Sequence, residues 1–153
     1  MRNSTLMSTE VEFLLLENNG QWLSSSLISL SELYLEHERV LVISSQRQQL
    51  EQLEEIFWHN SAEQFIPYSL DSECYANSTS VLLTTRQPER LRFKALLNLS
   101  DGALVASEQF RKIIEIVPVD DKEKEAARER YKTYRQLGFN ISHRTINVSE
   151  KLK

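Results

Sequence analysis

The chain has 153 residues, 41% hydrophobic and 26% charged, a balance that suits one globular domain over 1–153 with a sizeable core and gives no reason to expect a second. Its formal net charge of -4 is unevenly spread: residues 122–153 hold nine Lys and Arg against four Asp and Glu, so the acidic remainder carries a local basic end. A single cysteine, Cys74, excludes an intramolecular disulfide and a cysteine-rich metal site, and no run approaches the roughly 20 apolar residues needed to cross a bilayer, so the expectation is a soluble, cytoplasmic protein.

After a polar start, "VEFLLL" (Val11–Leu16) is a short bulky run of the kind that forms a buried strand, and "ENNG" closes it as a turn. In the next stretch Leu23, Leu27, Leu30 and Tyr34 recur at spacings of three and four, which places them on one helix face. "RVLVIS" (Arg39–Ser44) reads as a second strand, and "QRQQLEQLEEIFW" as a second helix with Leu50, Leu53 and Phe57 in register. Further on, "SVLLTT" (Ser80–Thr85), "FKALLNLS" (Phe93–Ser100) and "IIEIVP" (Ile113–Pro118) have strand length, with a helix expected over "SEQFRK" between the last two. Pro118 ends its strand because it has no N–H for the ladder. Asp120 or Asp121 can cap a last helix and suit its N-terminal dipole, and Gly138 is placed to end it.

Strands alternating with helices imply an α/β fold: a Rossmann-like, mostly parallel sheet of about five strands with helices on both faces. Only the ends, about 1–10 and 142–153, read as loose. Ligands of such sheets sit at the carboxyl ends of the strands. This chain, however, has three glycines in all, Gly20, Gly102 and Gly138, too few and too scattered for GxGxxG or GxxxxGK[ST]. No phosphate-binding loop is expected, and hence no nucleotide cofactor. His37, His59 and His143 occur singly, outside any HExxH or GxSxG setting. No metal ligand set or catalytic residue is identified, and no enzyme is expected.

Two surfaces remain. At about 100° per residue, Lys124, Arg128, Tyr131, Lys132 and Arg135 fall within roughly one 100° arc of the last helix, while Ala127, Tyr134 and Leu137 lie opposite and can face the sheet. The plain reading of such a stripe is a solvated helix face. An aromatic ring among four cations also offers an apolar plate and several donors, which suits an acidic peptide or single-stranded nucleic acid. The acidity of the remaining chain favours the peptide. The second surface is "IFWHNSAEQFIPYSL" (Ile56–Leu70), where Trp58, Phe65 and Pro67 are either core or, if exposed together, an aromatic anchor for a protein partner.

"FWHNSAEQFIPYSL" followed by "EIVPVDDKEKEAARERYKTYRQLGFN" resembles the chi subunit of bacterial DNA polymerase III holoenzyme, a clamp-loader accessory protein. The likeness is good over about 39–70 and 110–140. It implies a non-catalytic bridge with a Rossmann-like fold, which binds the acidic, Pro-Phe-ended C-terminal tail of single-stranded-DNA-binding protein and pairs with the psi subunit of the clamp loader. DNA would then be met only indirectly, and no membrane or cofactor is implied. Carried over by position, the tail site comprises Lys124, Arg128, Tyr131, Lys132 and Val117, with Gly138, Phe139 and Asn140 nearby. Arg128 or Lys132 would meet the terminal carboxylate, and Tyr131 and Val117 would border the phenylalanine. Trp58, Phe65 and Pro67 would face psi. Tyr68 stands where the family usually has histidine, and "DSECYANSTS" and "SHRTINVSEKLK" follow no family pattern. The alternative from a different class is a module that binds single-stranded nucleic acid directly through the same helix.

Overall fold

The computed structural model describes residues 9–18, 22–37, 39–60, 68–70, 81–85, 93–100 and 110–145. Over these, β1 (Glu10–Leu15), α1 (Trp22–His37), β2 (Val40–Ser44), α2 (Arg47–Asn60), β3 (Tyr68–Leu70), β4 (Val81–Thr84), β5 (Ala95–Leu99), β6 (Lys112–Val117), α3 (Asp121–Gln136) and β7 (Asn140–Thr145) follow in chain order. The strands form one sheet in the order β3-β4-β2-β5-β6-β1-β7, and every pairing is parallel. Parallel neighbours need crossovers, and α1, α2 and α3 are the crossovers among the described residues.

Strand periodicity sorts the core into two layers. Leu14, Val40, Val42, Val81, Leu83, Ala95, Leu97, Ile114 and Ile116 face one side, where Leu30 and Leu33 of α1 and Leu50 and Leu53 of α2 cover them. Val11, Phe13, Leu41, Ile43, Leu82, Leu96, Ile113 and Val117 face the other, under Ala127 and Tyr134 of α3. Helices therefore lie on both faces, as the alternation of elements predicts. Burial on both faces is also why β2 and β4 read as unbroken apolar runs rather than alternating ones.

Among the described residues the sheet has seven strands rather than about five. The two additions carry little sequence signal: β3 has three residues, and β7, "NISHRT", is a polar edge strand with only Ile141 and Arg144 half-buried. β7 also takes residues 142–145 out of the loose end expected there, because Ser142 to Thr145 pair with Glu12 to Leu15 of β1. Of the helix expected over 107–112, residues 107–109 lie outside the described residues, and 110–112 are not helical: Lys112 already opens β6. The side chains of Leu23, Leu27, His37 and Phe57 likewise lie outside the description.

The ends of α3 follow from local chemistry. Asp120 is the N-cap, and its carboxylate accepts a hydrogen bond from the Glu123 backbone N–H at 3.3 Å. At the other end Gly138 has φ +80, a conformation that costs residues with a Cβ. The Gly138 N–H donates to the Arg135 carbonyl and the Phe139 N–H to the Tyr134 carbonyl, which is the Schellman arrangement. Its accompanying apolar contact is the stack of Phe139 on Tyr134, with ring centroids 5.9 Å apart. The chain reverses here, so Phe139 returns to the core while Leu137, expected to face the sheet, is 48% exposed as the C-cap.

Candidate functional site

α3 lies across β6 and β1 and runs antiparallel to them. Its first residues follow the carboxyl end of β6, and its last lead into Asn140, the register partner of Glu10 at the amino end of β1. Register rows beneath it are Ile113, Val11 and Ile141; then Glu115, Phe13 and His143; then Val117, Leu15 and Thr145. Tyr131 sits over the middle row. Its ring is 6.1 Å from that of Phe13 and 5.6 Å from the imidazole of His143. This contact orients the whole helix: the side bearing Tyr131 borders the edge strand β7.

The cations of the stripe share that side or the solvent. Lys124, Arg128, Lys132 and Arg135 are all exposed, whereas Tyr131 is only half-buried and packed on the second core layer. The ring is thus a plate at the margin of the core rather than one standing free among charges. Arg128 pairs with Glu125 at 2.8 Å and Lys132 with Glu129 at 3.2 Å, each with side chains about two-thirds exposed. Pairs so hydrated contribute roughly 0 to 1 kcal/mol, so an incoming carboxylate can take over either cation at little cost.

The remaining predicted positions divide by location. Val117 is 4% exposed and lies in the row nearest Lys124, where its register neighbour Leu15 is 36% exposed. Gly138, Phe139 and Asn140 are at the opposite end of α3, roughly 20 Å from Lys124 at 1.5 Å per residue. An extended peptide of about six residues would be needed to touch both ends. Trp58 belongs to α2, but its side chain lies outside the described residues, as do Phe65 and Pro67 altogether.

A buried polar network, absent from the sequence reading, holds α3 from below. Glu115 of β6, fully buried, accepts from Arg130 Nε at 2.8 Å, from Asn98 Nδ2 at 2.9 Å and from the Tyr134 hydroxyl at 2.5 Å. Asn98 Oδ1 in turn accepts from the Ser100 backbone N–H at 3.0 Å. Burial pushes the Glu115 carboxyl above its ordinary range, while Arg130, Tyr134 and Asn98 pull it back down. The Tyr134 phenol is raised, by burial first and then by the Glu115 charge, and so remains a donor. Two signals mark this network in the sequence: a lone acid inside the apolar run "IIEIVP", and an arginine three residues after Ala127 and four before Tyr134, hence on the buried face.

The carboxyl ends of β2, β5 and β6 border a crevice of about 400 Å³, lined by Trp22, Gln46, Gln49, Asp120, Glu123 and Arg130 among others. This is where Rossmann-like sheets hold nucleotides. Two carboxylates at the start of α3 oppose a phosphate there, and the Arg130 guanidinium is already committed to Glu115. No group of three or more His, Cys, Asp or Glu suited to a metal occurs among the described residues, and none of their helices is long and apolar enough to cross a membrane.

These features define a class: a Rossmann-like α/β protein with no glycine-built phosphate loop, whose last helix presents a basic face bordered by aromatic rings. Its architecture resembles the C-terminal domain of S. cerevisiae Dbp5, solved with Gle1 and IP6, at a TM-score of 0.60 over 95% of this chain and 93% of that one; at 11% identity the likeness concerns the fold alone. The family model described as DNA polymerase III chi subunit, HolC, matches residues 7–142. The chain is 32% identical over 109 residues to the DNA polymerase III subunit chi of Escherichia coli (strain K12), covering 71% of this chain and 74% of that one. It is 33% identical over 112 residues to its counterpart from Haemophilus influenzae, covering 72% and 76%. The chain therefore belongs to the DNA polymerase III chi subunit family, which gives it an accessory role in replication.

Proposed function

We propose that this protein is a non-catalytic bridge that holds the acidic C-terminal tail of single-stranded-DNA-binding protein on α3 and joins the clamp loader through psi. The observation that carries this reading is the side of α3 toward β7, where Lys124, Arg128 and Arg135 stand exposed around the half-buried ring of Tyr131. An acidic peptide ending in an aromatic residue needs cations for its carboxylates and one apolar plate for its ring. Burying the aromatic side chain contributes roughly 1.5 to 3 kcal/mol and each partly exposed ion pair about 0.2 to 1 kcal/mol. These contributions reach at most about 6 kcal/mol together, an affinity of tens of micromolar or weaker, as suits a reversible tether. On the same family likeness, Trp58, Phe65 and Pro67 form the psi side.

The test is titration of a fluorescent peptide with an acidic stretch and a Pro-Phe end. Arg128→Ala and Lys132→Ala together remove two exposed cations without touching the core, and they should weaken binding about 2- to 30-fold. Unchanged affinity in that variant, or equal affinity for a peptide lacking the last phenylalanine, removes the assignment. Salt-sensitive binding of a bare oligonucleotide in place of the peptide would instead indicate direct nucleic-acid recognition. For the psi side, Trp58→Ala should stop co-elution of psi with this protein in gel filtration, and undiminished co-elution excludes that contact.

A further inference from the structure

The family match ends at residue 142, one residue before a side chain that the fold places against the proposed tail site. His143 is exposed on the edge strand β7. Its imidazole stacks on Phe13 with centroids 5.4 Å apart and planes 20° apart, and it meets the Tyr131 ring at 5.6 Å. Phe13 is 2% exposed, so the part of this cluster open to solvent is the pair Tyr131 and His143. They stand on different elements, helix and edge strand, and between them span the seam along which α3 borders β7. One register row further, toward the Lys124 end of α3, Leu15 is 36% exposed on the same sheet face, beside Thr145 of β7.

We infer that His143 is a contact residue for the peptide, forming with Tyr131 a two-ring platform that takes the terminal aromatic side chain of an acidic, carboxylate-ended tail, with Leu15 as its apolar neighbour. Aromatic pairs are favourable in stacked and edge-on arrangements alike, so a third ring can join the platform without displacing either of the first two. The cations Lys124, Arg128 and Arg135 on the β7 side of α3 supply the charge complementarity that selects an acidic peptide over other apolar-ended ones. One of the two rings is then contributed by an edge-strand residue that lies just beyond the family match. The inference rests on the tail-binding reading above.

The experiment is a titration of the full chain with the Pro-Phe-ended acidic peptide and with the same peptide ending in alanine. His143→Ala should weaken binding of the phenylalanine-ended peptide about three- to tenfold, the range of one aromatic contact, and leave the alanine-ended peptide unaffected; such coupling distinguishes contact from a general structural role. His143→Phe should restore the loss. Equal loss for both peptides, or none for either, overturns the inference. Should His143→Ala fold poorly, two measurements still decide: the affinity of His143→Phe against that of His143→Leu, which differ in favour of Phe if a ring is what matters and are equal if it is not, and the imidazole resonance of His143, assigned by its disappearance in His143→Phe, which must shift on adding the peptide. Failure of the wild-type protein to bind either peptide, or indifference to Arg128→Ala, would defeat the tail-binding reading itself, whereas sensitivity to Arg128→Ala with indifference to His143→Ala defeats only the platform.

Discussion

The guanidinium of Arg130 lies 2.8 Å from the carboxylate of Glu115, with side chains 5% and 0% exposed. The pair ties the buried side of α3 to the middle of β6. The opposite face of the same helix carries the exposed cations, so the geometry of the proposed site depends on a bond made beneath it.

Removing one partner leaves the other buried and uncompensated, which costs about 3 to 5 kcal/mol. Arg130→Ala is therefore expected to lower the urea midpoint severely. Replacing both partners, Arg130→Met with Glu115→Gln, should recover part of that loss, since an apolar or neutral pair needs no desolvated charge. A double variant no more stable than Arg130→Ala would show that the pair is not the source of the effect.

The pair also gives a signed pH dependence. Because burial raises the folded-state pKa of Glu115 above the ordinary carboxylate range, the folded protein holds this proton more tightly than the unfolded chain does. The stability contributed by protonation is then fully present below the unfolded value and is lost as pH rises through the folded one. The stability of wild type relative to Glu115→Gln should accordingly fall with rising pH across that window. A difference that grows with pH would mean that Arg130, Tyr134 and Asn98 together outweigh burial.

At the end of α3, Gly138 has φ +80 and nothing within 4 Å of where a Cβ would stand. The cost of Gly138→Ala is thus backbone strain alone, about 1 to 2 kcal/mol, and Gly138→Asn should cost less because Asn visits this conformation more readily. Thermal unfolding of the two variants measures the difference, and equal costs would contradict the strain account.

At its start, Asp120→Ala removes the side chain that caps the Glu123 N–H and should cost about 1 kcal/mol. Arg128→Ala, on the solvated face, should change stability by less than about 0.5 kcal/mol. Comparing the two by chemical denaturation separates the helix's structural end from its binding face, and a large loss in Arg128→Ala would show that the stripe is not free for a ligand.

The legibility of the site varied with burial. Lys124, Arg128, Lys132 and Arg135 follow from the 3.6-residue period alone, since a cation on the face opposite Ala127 and Tyr134 has nowhere to go but solvent. Tyr131 was legible as part of the stripe but not as a ring packed on Phe13 and His143, because that contact joins residues far apart in the chain. Leu15 and His143 gave no signal for the same reason: one reads as core, the other as an isolated histidine in a polar end.

By itself the sequence determined the alternation of strands and helices, the caps of α3, the absence of a glycine-built phosphate loop and the family, all of which are written in local spacing or in contiguous motifs. Tertiary structure alone decided the sheet order, the addition of β7 beside β1, the burial of Arg130 on Glu115 and the meeting of Tyr131 with His143. Each of those depends on which strand pairs with which. Local propensity carries no record of such pairings, because their free energy is gained only when distant segments close on one another.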